Sequence, residues 1–95
     1  MKPRSPIIQV TFFMDMPKKS LHLIDIHVGQ RLKQLRIMLG LSQEKLATKL
    51  NITYQQVQKY ENATNRISAS KLYEAAQILH VSVQFFYEGV EVELE

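Results

Sequence analysis

Two short helix-forming stretches with almost nothing between them constrain this chain more than any other feature. Residues 43–50, QEKLATKL, and 54–61, YQQVQKYE, each carry apolar residues at helical spacing, and only Asn51, Ile52 and Thr53 separate them. Ser42 and Thr53 are suited to cap the two helices, and Gln56 completes a Thr-x-x-Gln capping box with Thr53. Asn51 stops the first helix, because asparagine tolerates the left-handed backbone angle of such a stop. So short a connection makes the two helices meet at roughly a right angle. The crossing needs a small residue, and Ala47 is there. Ile52 packs inward beside the turn, and Val57 and Tyr60 anchor the second helix from beneath. Tyr54, Gln55, Gln58 and Lys59 are then left on its outer face.

Helical spacing runs through residues 25–89. Asp25 is the expected cap of a first helix whose stripe is Val28, Leu32, Leu35 and Leu39, with Gly40 ending it. After a loop, Asn62–Ile67, a helix over about Ala69–His80 points Leu72, Ala75, Ala76 and Leu79 inward. Ser82 caps a short last helix, Val83–Glu88, in which Phe85 and Phe86 close the core and Gly89 ends the element. Residues 1–24 differ in texture. They hold all three prolines and show no helical period, so they read as an arm, irregular or with a short strand at Ile7–Phe13. Residues 90–95 form an acidic tail in which Val90, Val92 and Leu94 alternate with Glu91, Glu93 and Glu95. That alternation fits a half-buried strand paired with the arm or across a dimer; fraying is the commoner fate of a terminus. The expected architecture is all-α: five helices over 25–89, flanked by arm and tail.

Charge is unevenly spread. Four of the nine acidic residues lie in the last eight positions, so residues 1–87 carry 12 basic and five acidic residues, a net +7. A basic body with an acidic tail suits a polyanionic partner, and suits a merely solvated surface equally well. Cysteine is absent, which removes disulfides and thiolate metal sites. His22, His27 and His80 share no metal-ligand spacing, and His80 at a helix end favours the helix dipole. The three glycines are isolated and build no phosphate-cradling loop. Nothing marks a nucleophile. The chain therefore reads as a non-enzyme without cofactor or metal. No stretch approaches the ~18 apolar residues of a membrane span, and the run Ile7–Met14 is interrupted by Gln9 and Thr11 and lacks a signal cleavage site. A cytoplasmic setting fits.

The stretch LGLSQEKLATKLNITYQQVQKYEN, continuing into ATNRISASKL, resembles the XRE, or Cro/C1-type, helix-turn-helix family of phage repressors and bacterial regulators. The resemblance covers roughly residues 26–89. It implies a five-helix, lambda-repressor-like bundle that binds operator DNA as a symmetric dimer, with the helix opening at Tyr54 as recognition helix. By position, Tyr54, Gln55, Gln58 and Lys59 would contact bases. Gln43 would bond a phosphate and brace the recognition helix. Asn62, Thr64, Asn65 and Arg66 in the following loop would grip the DNA backbone, with Lys45 and Thr48 as weaker candidates. Arg36 and Glu61 match a family ion pair that would tie down the recognition helix and orient Arg36 near the phosphates. Asn51 and Ala63 stand where the family often has glycine; Asn51 is easily tolerated, whereas Ala63 puts the loop's phosphate grip in question.

The expected function is sequence-specific regulation of transcription, read as repression, by a homodimer in the bacterial or phage cytoplasm, nucleoid-associated when bound. Phe85, Phe86 and Tyr87 offer more aromatic surface than a two-turn helix can bury. Either one of them faces a partner subunit or all three cap the monomer core. An alternative is an interaction module of the same fold, of antitoxin or coactivator type, with residues 1–24 or the acidic tail meeting a protein partner.

Overall fold

The computed structural model describes residues 22–91. Within them the chain forms α1 (Leu23–Met38), α2 (Gln43–Leu50), α3 (Tyr54–Glu61), α4 (Ala69–Leu79) and a one-and-a-half-turn 3₁₀ helix, Val83–Tyr87. The class is all-α as expected, with the fifth helix wound as 3₁₀ and ending one residue early.

Serine and threonine set three of the helix starts. The Oγ atoms of Ser42, Thr53 and Ser68 accept from the amides of Lys45, Gln56 and Lys71 at 3.0–3.1 Å, each satisfying a donor that the helix itself cannot. The first helix departs from expectation. It opens at Leu23 behind His22, whose Nδ1 accepts from the Ile24 amide at 3.1 Å. Asp25 is therefore a first-turn residue, where its charge complements the helix dipole, rather than the cap. The helix thus begins three residues earlier than its expected start after Asp25.

The stops are left-handed. Asn51 has φ 59°, as its sequence predicts, and His80 has φ 61°. His80 is thus the residue just past α4 rather than its last turn. The core joins all elements: Leu32, Leu46, Leu50, Val57 and Phe86 are fully buried, each such side chain contributing about 1.5–3 kcal/mol. The stripe of α1 is Val28, Leu32 and Leu35; Leu39 falls beyond the helix end and is 48% exposed. The proposed strand at Ile7–Phe13 lies outside the described residues. Val90 and Glu91 are not in a strand, and residues 92–95 lie outside the description.

α1 and α3 come closer than side chains normally allow. Gly29, buried in the middle of α1, faces the end of α3, and a Cβ there would sit 2.4 Å from the Tyr60 carbonyl oxygen and 3.0 Å from that of Glu61. Only a glycine fits between these backbones.

Candidate nucleic-acid interface

The turn between α2 and α3 is closed by backbone bonds from Asn51 to Thr48 and from Ile52 to Ala47. Ala47 is buried at the crossing, and Leu46, Leu50 and Val57 fill the angle. α3 is held from below by Val57 and by the half-buried Tyr60. Tyr54, Gln55, Gln58 and Lys59 emerge together on its exposed side. With an eight-residue helix, these four span little more than one and a half turns.

A polar chain of contacts fixes the last turn of α3. Arg36 donates through Nε to Glu61 Oε2 at 2.6 Å and through Nη2 to Glu61 Oε1 at 3.1 Å, a two-pronged pair between side chains only 12% and 4% exposed. Its Nη1 donates to the Leu41 carbonyl at 3.0 Å, at the start of the loop into α2. Each of the three guanidinium nitrogens of Arg36 thus has a partner within the protein. Gln43, at the start of α2, donates to Glu61 Oε1 at 3.0 Å and accepts from Gln58 Nε2 at 3.2 Å. It joins the buried carboxylate to the exposed face of α3.

The loop after α3 is tightly wound. Asn62 Oδ1 accepts from both the amide and the hydroxyl of Thr64, at 2.9 and 2.6 Å, and the Asn65 amide donates to the Lys59 carbonyl. Ala63 does adopt φ 63°, a strain of about 1–2 kcal/mol for a residue with a Cβ. The loop nevertheless keeps its closed shape, with the Ala63 methyl group buried. Arg66 pairs with Asp25 at 2.9 Å yet stays 71% exposed at its side chain. Lys45 and Thr48 are exposed along α2, where the Thr48 hydroxyl donates to the Glu44 carbonyl at 3.1 Å.

The three aromatics at the C-terminal end separate. Phe86 is 0% exposed and belongs to the core, so it leaves the list of candidate dimer contacts. Phe85 packs edge-on against it at 5.5 Å and lies under the Arg31 guanidinium at 3.9 Å. Tyr87 remains 41% exposed. Arg31 also donates to the Phe85 carbonyl and pairs with Glu88, while a ring nitrogen of His27 meets the Glu88 carbonyl at 2.7 Å. This clasp between α1 and the 3₁₀ helix, like the Gly29 contact, escaped the sequence reading. An isolated mid-helix glycine was the one signal available for the latter. Among the described residues no cluster of histidine or acidic side chains could hold a metal, and no helix is long and apolar enough to cross a membrane.

Residues 32–86, from mid-α1 to the 3₁₀ helix, match the family model HTH_3, helix-turn-helix. The chain belongs to the HTH_3 family, the XRE type of helix-turn-helix. An HTH-type transcriptional regulator of Sinorhizobium medicae is 58% identical over 71 residues, which are 75% of this chain and 51% of that protein. The chain thus spans about half the length of that relative. The HTH_3 fold is also that of the restriction-modification controller protein C.AhdI from Aeromonas hydrophila, with TM-score 0.64 and 28% identity over 68% of this chain and 98% of that one. SinR, the master regulator for biofilm formation, solved in complex with DNA, matches with TM-score 0.58 and 31% identity over 64% of this chain and 98% of its own.

Proposed function

We propose that this HTH_3 chain is a sequence-specific double-stranded-DNA-binding regulator, a repressor that acts as a homodimer with α3 in the major groove of each half-site. The observation that carries the reading is the exposed row Tyr54, Gln55, Gln58 and Lys59 on a short helix clamped at its far end by Arg36 and Glu61. Glutamine offers a donor and an acceptor to an adenine edge, lysine reaches guanine O6 or N7, and Tyr54 packs on a thymine methyl or bonds a phosphate. Lys45, Thr48, Gln43, Asn62, Thr64, Asn65 and Arg66 surround that row and supply the backbone contacts that set register. Half-sites in a dimer lie about 34 Å apart or a multiple of it, and Tyr87 is the exposed aromatic that would meet the second subunit. The regulator name of the relatives and the DNA complex of SinR support this reading. Such a protein works in the cytoplasm, on the nucleoid, and its activity lies in occupancy rather than catalysis.

An interaction module of the same fold is the second reading. It is favoured by Ile37, Met38 and Leu39, which are 58%, 69% and 48% exposed beside a groove lined by Leu35, Leu41, Ile78 and Val81. Selection from random duplexes at fixed salt separates the two. Enrichment of a paired half-site supports the regulator; recovery of bulk DNA alone, with a stable protein partner, supports the module.

A further inference from the structure

Asp25 and Arg66 join the start of α1 to the end of the loop after α3. Arg66 Nε donates to Asp25 Oδ2 at 2.9 Å, which engages the inner edge of the guanidinium. Its two terminal nitrogens make no hydrogen bond among the described residues, and the side chain stays 71% exposed. Asp25 is only 22% exposed and lies in the first turn of α1, where the helix dipole steadies its charge. The backbone on either side of Arg66 is held independently. The Asn65 amide is bonded to the Lys59 carbonyl, and Ile67 packs against the core. The side chain has no such seat. A hollow of about 230 Å³, lined by Ile24, Val28, Tyr60, Ile67 and Leu72, opens beside it, so the carboxylate rather than close packing restrains Arg66.

The geometry points to Asp25 as the residue that fixes the register in which Arg66 meets a phosphate, and so as a determinant of specific over bulk DNA binding. With Nε engaged, the guanidinium offers only its outer edge. There two N–H groups stand side by side, the pattern that grips two oxygens of one phosphate. A restrained fork fits a phosphate at one place on the duplex. A free arginine finds a phosphate in any register, and sequence-independent binding is made largely of such contacts. Asp25 touches no DNA on this account; it is a positioning residue. It acts apart from the Arg36–Glu61 pair, which holds α3 rather than the loop. The proposal rests on the regulator reading, with the loop after α3 against the DNA backbone.

A double-mutant cycle of Asp25→Ala and Arg66→Ala in the whole chain tests it, with folding checked by circular dichroism. Fluorescence anisotropy at one fixed salt gives the affinities for the selected duplex and for bulk duplex. Asp25→Ala is expected to lower the ratio of selected to bulk affinity by roughly two- to fivefold, the scale of an exposed ion pair. In the Arg66→Ala background the same change should leave the ratio where it is. A purely structural role of Asp25 in α1 would persist there. A ratio unchanged or raised in Asp25→Ala, or an equal fall with and without Arg66, overturns the proposal. Proton exchange at Arg66 Nε in the free protein, followed by NMR, needs no DNA. It should speed up several-fold in Asp25→Ala, and equal rates would remove the restraint on which the proposal stands. Should the wild type select no duplex, the regulator reading fails and the register role falls with it; a protected Nε proton would then show the ion pair to be structural only.

Discussion

Gly29 of α1 presses on the backbone of Tyr60 in α3, with room for a hydrogen and no room for a methyl group: a Cβ would stand 2.4 Å from the Tyr60 carbonyl oxygen. The approach fixes how deep the end of α3 sits against the bundle. The neighbouring Arg36–Glu61 pair fixes the same turn by charge.

Alanine in place of a mid-helix glycine ordinarily stabilises, by about 1 kcal/mol. Here the neighbour is backbone and cannot turn aside. Gly29→Ala is therefore expected to lower stability by about 1–3 kcal/mol, the usual effect of overpacking. A urea unfolding midpoint above that of the wild type would contradict the close approach.

Removing one partner of a buried ion pair leaves the other charge without compensation. Glu61→Ala should destabilise by roughly 3–5 kcal/mol. Replacing both partners together, as Arg36→Met with Glu61→Leu, should cost clearly less than the two single changes added. A double-mutant cycle in denaturant checks this, and additive effects would mean that the pair carries no coupling.

Base and phosphate contacts should separate in solution. Gln55→Ala or Lys59→Ala is expected to relax preference at one base pair by about 1–3 kcal/mol while leaving the unfolding midpoint in place. Lys45→Ala should weaken binding to all duplexes alike and reduce the salt slope by about 1. Fluorescence anisotropy across a salt series distinguishes these patterns.

The aromatics at the C-terminal end make opposite predictions. Phe86→Ala opens a cavity in the core and should cost about 3–5 kcal/mol. Tyr87→Ala should leave stability of the monomer nearly unchanged and shift sedimentation toward the monomer. A Tyr87→Ala protein that sediments as the wild type does at every concentration would remove Tyr87 from the dimer surface.

How much could be read beforehand follows from the range of the interactions. Ser42, Thr53 and Asn51 act within four residues, so the sequence around them predicts the turn and both its helices. The inward faces of α2, α3 and α4 follow from spacing alone. Asp25 and His22 compete to cap the same helix, and composition favours the aspartate; the aspartate instead lies within reach of Arg66, 41 residues on. The Phe85–Tyr87 run looks uniformly aromatic, and only the packing of Arg31 and the core tells its members apart. Gly29 against Tyr60, and Glu61 through Gln43 to Gln58, are contacts between different helices. No local pattern encodes them.

Chemical-shift mapping of the labelled chain against its selected duplex decides whether α3 meets DNA. The largest changes are expected at Tyr54, Gln55, Gln58 and Lys59, with smaller ones at Asn65 and Arg66. Changes centred on Met38–Leu41 and Ile78–Val81, with the outer face of α3 unmoved, would contradict it.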